Sequence, residues 1–215
     1  MVVKNDQANE WFEKGYNFIN SEKYQEALES FEKAIDCDST NGRYWAYKAD
    51  MLKFLKKYDE SLMSYEKAID CEPTDYLAWA SKADILHKFK KYDESLMSYE
   101  KVIEIVTSDI ERTQRQIYLA SKGQDTYKIS IRELGFYWNC KGVEEMALKK
   151  YGDALQSFEK AIEYEPKEPR YWLNKSYAEK SLDKTVDASK SFEIAETLDE
   201  EHNLDVTKDS QWKDN

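Results

Sequence analysis

The feature that most constrains this chain is a duplication. The twelve residues Lys56-Lys57-Tyr58-Asp59-Glu60-Ser61-Leu62-Met63-Ser64-Tyr65-Glu66-Lys67 recur unchanged from Lys90 to Lys101, at an offset of 34. A fixed period of that size makes each copy one supersecondary unit, which buries its apolar side by stacking on its neighbours. Units started at Ala8, Gly42, Tyr76, Gly135 and Pro169 are spaced by 34, 34, 59 and 34 residues. Slot 4 is then always tryptophan (Trp11, Trp45, Trp79, Trp138, Trp172). Slot 8 is always small (Gly15, Ala49, Ala83, Gly142, Ser176), as is slot 20 (Ala27, Ser61, Ser95, Ala154, Ala188). Slot 24 is always aromatic (Phe31, Tyr65, Tyr99, Phe158, Phe192).

Small residues let two helices approach closely, and large rings fill the volume that remains. Each unit therefore predicts a helical hairpin, with helices near 8–20 and 24–37 and their equivalents, and with Thr74 or Asp75 as the N-cap of the third unit. A buried aromatic ring hides on the order of 200 Å², so slots 4 and 24 are expected in the core. Composition agrees: 6 Gly and 3 Pro are too few for a turn-rich β domain or a Gly-rich phosphate loop, and 14% aromatic residues suit a packed chain.

Other classes fall away on charge and motif. With 32 Lys+Arg against 43 Asp+Glu the formal charge is −11, which opposes phosphate backbones and anionic membranes, so neither nucleic acid nor membrane is expected as a partner. There is no run of eighteen apolar residues and no signal-peptide core after Met1, which predicts a soluble, cytoplasmic protein. Cys37, Cys71 and Cys140 are odd in number and far apart, so neither a disulfide framework nor a metal site is expected. His87 and His202 are the only histidines and lie in no ligand or catalytic motif, so the expectation is no enzyme and no cofactor. The paired acids Asp59-Glu60 and Asp93-Glu94 recur at the start of second helices, where carboxylates favour the helix dipole.

The recurring Trp, small, aromatic and Ala slots resemble the tetratricopeptide repeat, a family with a 34-residue helical hairpin. Slot 27 follows with Ala34, Ala68, Val102, Ala161 and Ala195, and slot 32 with Pro73 and Pro166, while Ser39, Thr107 and Glu200 depart. Slot 7, usually Leu in the family, is Lys14, Lys48, Lys82, Lys141 and Lys175, whose stems are expected to pack while the ammonium reaches water. The resemblance implies an all-α solenoid of five hairpins.

A helix turns about 100° per residue, so slots 2, 5, 9, 12 and 13 form a stripe well away from slots 4, 8 and 11 and outside the core. In the family that stripe lines a groove that binds a partner segment. The candidate peptide-binding residues are Asn9, Phe12 and Tyr16; Arg43, Asp50 and Lys53; Leu77, Asp84, His87 and Lys88; Phe136, Asn139 and Val143; and Arg170, Leu173, Tyr177 and Lys180. Phe54, Met146, Ala147 and Ser181 share the stripe. Arg43, Lys53, Lys88, Arg170 and Lys180 against Asp50 and Asp84 make it cationic on an acidic molecule, which suits a peptide with apolar anchors and some acidic residues. The carboxylate-clamp set of one branch of the family is not matched, since those slots read Phe12, Tyr16, Tyr47, Leu77 and Ser81.

The expected organisation is an N-terminal extension over 1–7, three units over 8–109, an insert over 110–134, two units over 135–202 and an acidic tail over 203–215. The insert is expected to be a protruding helical hairpin, in which the second helix of the third unit extends toward Lys122 and stops at Gly123 and the return from Asp125 to Leu134 lengthens the next helix, although Ile129-Ser130-Ile131 alternates as a short strand would. From Asp199 onward six acids (Asp199, Glu200, Glu201, Asp205, Asp209, Asp214) face Lys208 and Lys213. That tail could meet the cationic stripe, so the alternative to a partner-binding scaffold is a self-assembling homo-oligomer joined by solenoid ends, insert or tail.

Overall fold

The computed structural model describes the backbone of residues 2–120 and 125–202 and the side chains of residues 6–113 and 131–200. The expected stop at Gly123 and the acidic tail over 203–215 lie outside the described residues. Ten helices and no strand are found among the described residues. They fall into two compact units, Met1–Phe89 and Lys90–Asn215.

The first unit holds α1 (Val2–Ile19), α2 (Tyr24–Cys37), α3 (Gly42–Phe54), α4 (Tyr58–Cys71) and α5 (Tyr76–Lys88). Each helix packs on the next. Asn41 and Asp75 begin α3 and α5 by accepting from backbone N–H groups, Asn41 from Arg43 and Asp75 from Leu77 and Ala78. The second unit holds α6 (Tyr92–Ala120), α7 (Asp125–Ala147), α8 (Tyr151–Tyr164), α9 (Pro169–Ser181) and α10 (Thr185–His202). Its helices also pack in sequence, and Pro169 opens α9 where no N–H is needed. Ile129-Ser130-Ile131 is helical within α7, so the alternation there does not make a strand.

The packing slots explain why the hairpins close. A Cβ on Gly15 would sit 2.6 Å from a ring carbon of Phe31, and one on Gly142 would sit 2.5 Å from Phe158. Glycine goes with phenylalanine here, whereas Ala49 faces a tyrosine. The Tyr65 hydroxyl reaches out to the carboxylate of Asp50 and is tied there, a position compatible with the Cβ of Ala49. Asp84 and Tyr99 repeat that pair of residue types at the same slots of the third repeat.

The slot 4 indoles are only half-buried, which corrects the expectation of full burial. Their N–H edges must find acceptors. Trp45 donates to the Ser39 carbonyl (2.9 Å), Trp79 to that of Pro73 (3.0 Å) and Trp172 to that of Pro166 (2.8 Å), so each ring pins the turn before its own helix. The lysine at slot 7 lies over the same ring, at 5.6 Å for Lys48 on Trp45 and 5.4 Å for Lys175 on Trp172. Its ammonium pairs with slot 25 of the preceding repeat: Lys48 with Glu32 at 2.9 Å, Lys82 with Glu66 at 3.1 Å and Lys175 with Glu159 at 3.4 Å. These lysines are stitches between neighbouring repeats, which is why leucine is not needed there.

Slot 15 carries a second recurring device. Glu22, Lys56, Lys90, Lys149 and Asp183 turn between helices with φ of 57°, 60°, 59°, 60° and 59°. Left-handed backbone costs a residue with a Cβ about 1 kcal/mol, and none of these five is glycine.

Candidate functional site

In the first unit the candidate stripe runs along α1, α3 and α5. Tyr16, Phe54 and Leu77 are large apolar side chains that stay 45%, 56% and 58% exposed. Around them Arg43 and Lys88 are exposed, Lys53 and His87 are half-buried and Asp84 is exposed. Tyr16 meets the edge of Tyr47 at 6.2 Å, and Phe54 stacks on Tyr24 with ring centres 4.8 Å apart. Lys88 lies 4.5 Å over the ring of Tyr58.

Four stripe residues of this unit, Phe12, Asp50, Lys53 and Asn9, serve the fold. Phe12 is 7% exposed, packed among Phe31, Tyr44 and Tyr47 at 5.6, 5.3 and 5.1 Å with the Arg43 guanidinium 5.0 Å over its ring. It belongs to the core, contrary to the expectation that slot 5 lies outside it, because the following helix α3 covers that slot with two tyrosines. Asp50 accepts from the buried Tyr65 hydroxyl. Burial holds the Asp50 carboxyl above its ordinary range, partly offset by that bond and by Lys53. Burial and then Asp50 push the Tyr65 phenol far up, so it stays a donor. Lys53 reaches Ser81 Oγ at 3.5 Å and Asn9 accepts from the Tyr44 hydroxyl at 2.9 Å, which binds neighbouring helices together.

In the second unit the stripe lies on α7 and α9. Phe136 is 53% exposed, with Arg170 and Lys180 exposed on α9 and Asn139, Val143 and Tyr177 half-buried. Asn174 donates to Asn139 Oδ1 at 2.8 Å, fixing α9 against α7. Leu173 is 3% exposed and is core, the second departure at slot 5. A cavity of about 620 Å³ opens between the ends of α7 and α9 and the start of α8, lined by Met146, Ala147, Lys149, Tyr151, Tyr177, Lys180 and Ser181. Lys149 and Tyr151 are not stripe residues. Their signal in sequence was the tyrosine that recurs at slot 17 as Tyr24, Tyr58, Tyr92 and Tyr151.

Among the described residues no group of three or more His, Cys, Asp and Glu could hold a metal ion, and no helix is long and apolar enough to cross a membrane. Cys37, Cys71 and Cys140 are free thiols. Four of the exposed large apolar side chains (Tyr16, Phe54, Leu77 and Phe136) share the stripe slots with arginine and lysine.

The fold defines an all-α repeat protein whose hairpins reuse the same packing slots. Tetratricopeptide repeat models match residues 8–41, 42–75, 64–97 and 137–168. The chain belongs to the tetratricopeptide repeat family. A search of curated protein sequences returns no significant match. Among solved structures it is similar to MamA from Desulfovibrio magneticus RS-1, with 16% identity, 95% of this chain and 98% of that one covered, and a TM-score of 0.70. It is also similar to Acl4, an assembly chaperone of RpL4 (13% identity, 89% and 75% covered, TM-score 0.74), and to PilF of Pseudomonas aeruginosa (15%, 91% and 78%, 0.64). At these identities the likeness is one of fold.

Proposed function

We propose that this chain is a non-catalytic scaffold that binds a segment of a partner protein along the stripe of its first helices. The observation that carries the reading is the exposure of Tyr16, Phe54, Leu77 and Phe136 at slots 9, 13, 2 and 2, beside Arg43, Lys88, Arg170 and Lys180. Exposed rings on rigid helices lose little entropy on contact, and flanking cations select for acidic neighbours in the partner. Acl4, similar in fold, is an assembly chaperone for another protein, which is the same class of task. In the first unit Phe12 and Asp50 shape the stripe from beneath, and in the second unit Leu173 does.

A photo-crosslinking amino acid placed at Leu77 or Phe136 in cells tests the reading. Both positions are expected to trap the same partner, whereas Met63, 67% exposed at slot 22, is expected to trap none. Equal trapping from Met63 would reject the stripe as the binding face.

The rival, self-assembly, is favoured by one observation. On α10 Val186 and Ile194 remain 67% and 37% exposed, and a cavity of about 530 Å³ lies between α9 and α10. A mass that rises with concentration in light scattering and reverts in Val186→Lys would establish it.

A further inference from the structure

The same slot recurs four times: two versions in the first unit are filled, and the two in the second unit have a short residue, Ala147 or Ser181, in the covering position. In each of the first four repeats the tyrosine at slot 17 starts a second helix, and slot 13 of the next repeat ends a first helix. In the first unit Tyr24 is covered by Phe54, stacked at 4.8 Å with the planes 6° apart. Tyr58 is covered by the Lys88 ammonium at 4.5 Å. The equivalent pairs in the second unit are Tyr92 with Ala147 and Tyr151 with Ser181, and the second of these opens into a cavity. Serine is too short to reach across a tyrosine face, and its hydroxyl instead donates back to the Tyr177 carbonyl at 2.9 Å. What remains over Tyr151 is the cavity of about 620 Å³, large enough for an aromatic side chain.

Charge narrows the occupant. Slot 9, one turn before the covering position, is Asp50 in the second repeat but Tyr177 in the fifth. The lining includes Lys149 and Lys180, both exposed, and no carboxylate. A cation there cannot repeat what Lys88 does over Tyr58, because two ammonium groups would repel it. A ring can repeat what Phe54 does over Tyr24, and an acidic neighbour of that ring would meet the lysines.

We propose that this cavity is an aromatic-anchor pocket, which takes a Phe, Tyr or Trp side chain of a partner segment that carries acidic residues on either side of it. The ring stacks on Tyr151 in the place that Phe54 fills over Tyr24, Met146 and Ala147 form the apolar floor, and Lys149 and Lys180 hold the flanking carboxylates. The inference rests on the scaffold reading above and names the chemistry of its partner.

The test uses the full chain and an acetylated peptide amide, Asp-Glu-Phe-Glu-Asp, whose phenylalanine carries a fluorine read by NMR. The version with alanine in place of phenylalanine is the competitor. The phenylalanine peptide is expected to bind about tenfold more tightly than the alanine peptide, the gain of one stacked and buried ring. Ser181→Phe, which copies the arrangement of the first unit, is expected to remove that preference. Tyr151→Leu, a second variant with a smaller packing change, is expected to weaken the peptide about fivefold. Lys180→Glu is expected to reverse the preference for acidic over lysine flanks, while Met63→Ser, at an exposed side chain outside the stripe, leaves binding unchanged. Retained binding in Ser181→Phe would overturn the pocket, and so would binding that appears only after residues 203–215 are deleted, since the chain would then fill it itself. Loss of binding in Phe54→Ser alone would place the peptide on the first unit, which rejects this pocket and leaves the scaffold reading intact.

Discussion

The second repeat (42–75) and the fourth (135–168) have the same indole, the same slot 7 lysine and the same slot 23 serine, yet they pair a carboxylate with a hydroxyl on opposite sides of the first helix, half-buried in one and buried in the other. In the second repeat the acid is Asp50 at slot 9, which serves the Tyr65 hydroxyl, while slot 11 is Leu52 at 1% exposure. Ser64 there bonds back to the Glu60 carbonyl at 2.9 Å. In the fourth repeat slot 9 is Val143, slot 24 is Phe158, and slot 11 is Glu145 at 3% exposure. Ser157 turns to donate to Glu145 Oε2 at 2.6 Å and Lys141 donates to Oε1 at 2.8 Å. A buried carboxylate is tolerable only where donors meet it. Slots 9 and 11 each hold such a carboxylate beside a hydroxyl donor, Tyr65 in the second repeat and Ser157 in the fourth.

Removing the donors of Glu145 should give the largest effect. Lys141→Met leaves a buried charge short of its main partner and is expected to cost about 3 kcal/mol in urea denaturation. Adding Glu145→Leu, the residue type of the second repeat, should recover most of it; no recovery would mean that Lys141 acts through Trp138 and Glu100 instead. Next comes slot 8. Gly142→Ala drives a methyl into Phe158 and is expected to cost about 2 kcal/mol, whereas Ala49→Gly, where tyrosine leaves room, should cost about 1 kcal/mol or less. Equal costs would break the link between the small slot and the ring that faces it.

A feature shared by both units provides the control. Lys56→Gly and Asp183→Gly each relieve a left-handed backbone and should raise stability by up to about 1 kcal/mol, to the same extent in both. The smallest effect is read in pH. The folded pKa of Asp50 is raised by burial, so the folded state holds its proton more tightly than the unfolded chain, and the ionised carboxyl costs stability at neutral pH. Asp50→Asn keeps an acceptor for Tyr65. Its thermal midpoint should exceed that of the parent at pH 7, and the gain should vanish as the pH falls below the ordinary carboxylate range, where both states of the parent are protonated. A gain that grows in acid would reverse the sign and reject burial as the dominant cause.

Much of the fold was legible because identical residues at a fixed spacing report identical surroundings. The hairpin register, the aromatic slot 24 and the small slots are all legible in the sequence, which also narrows the N-cap of the third unit to Thr74 or Asp75, and Asp75 is the one that caps. The candidate face was legible only in part. Helical periodicity sorts residues by angle around one helix, so it could not see that the following helix covers Phe12 or that Leu173 is buried at 3% exposure. Nor could it see that Asp50 is committed to Tyr65, since the two lie on different helices. The left-handed turns at slot 15 escaped notice because glycine, the usual marker, is absent there.

The sequence by itself determined the repeat unit, its period and the residue types of its packing slots, because stacked copies of one hairpin must solve the same steric problem each time. The tertiary structure alone decided which stripe residues face outward, which carboxylate is buried and where a slot is left open over Tyr151. Those outcomes depend on pairs of side chains from neighbouring helices, such as Phe54 over Tyr24, and spacing along one chain carries no information on whether two such partners meet.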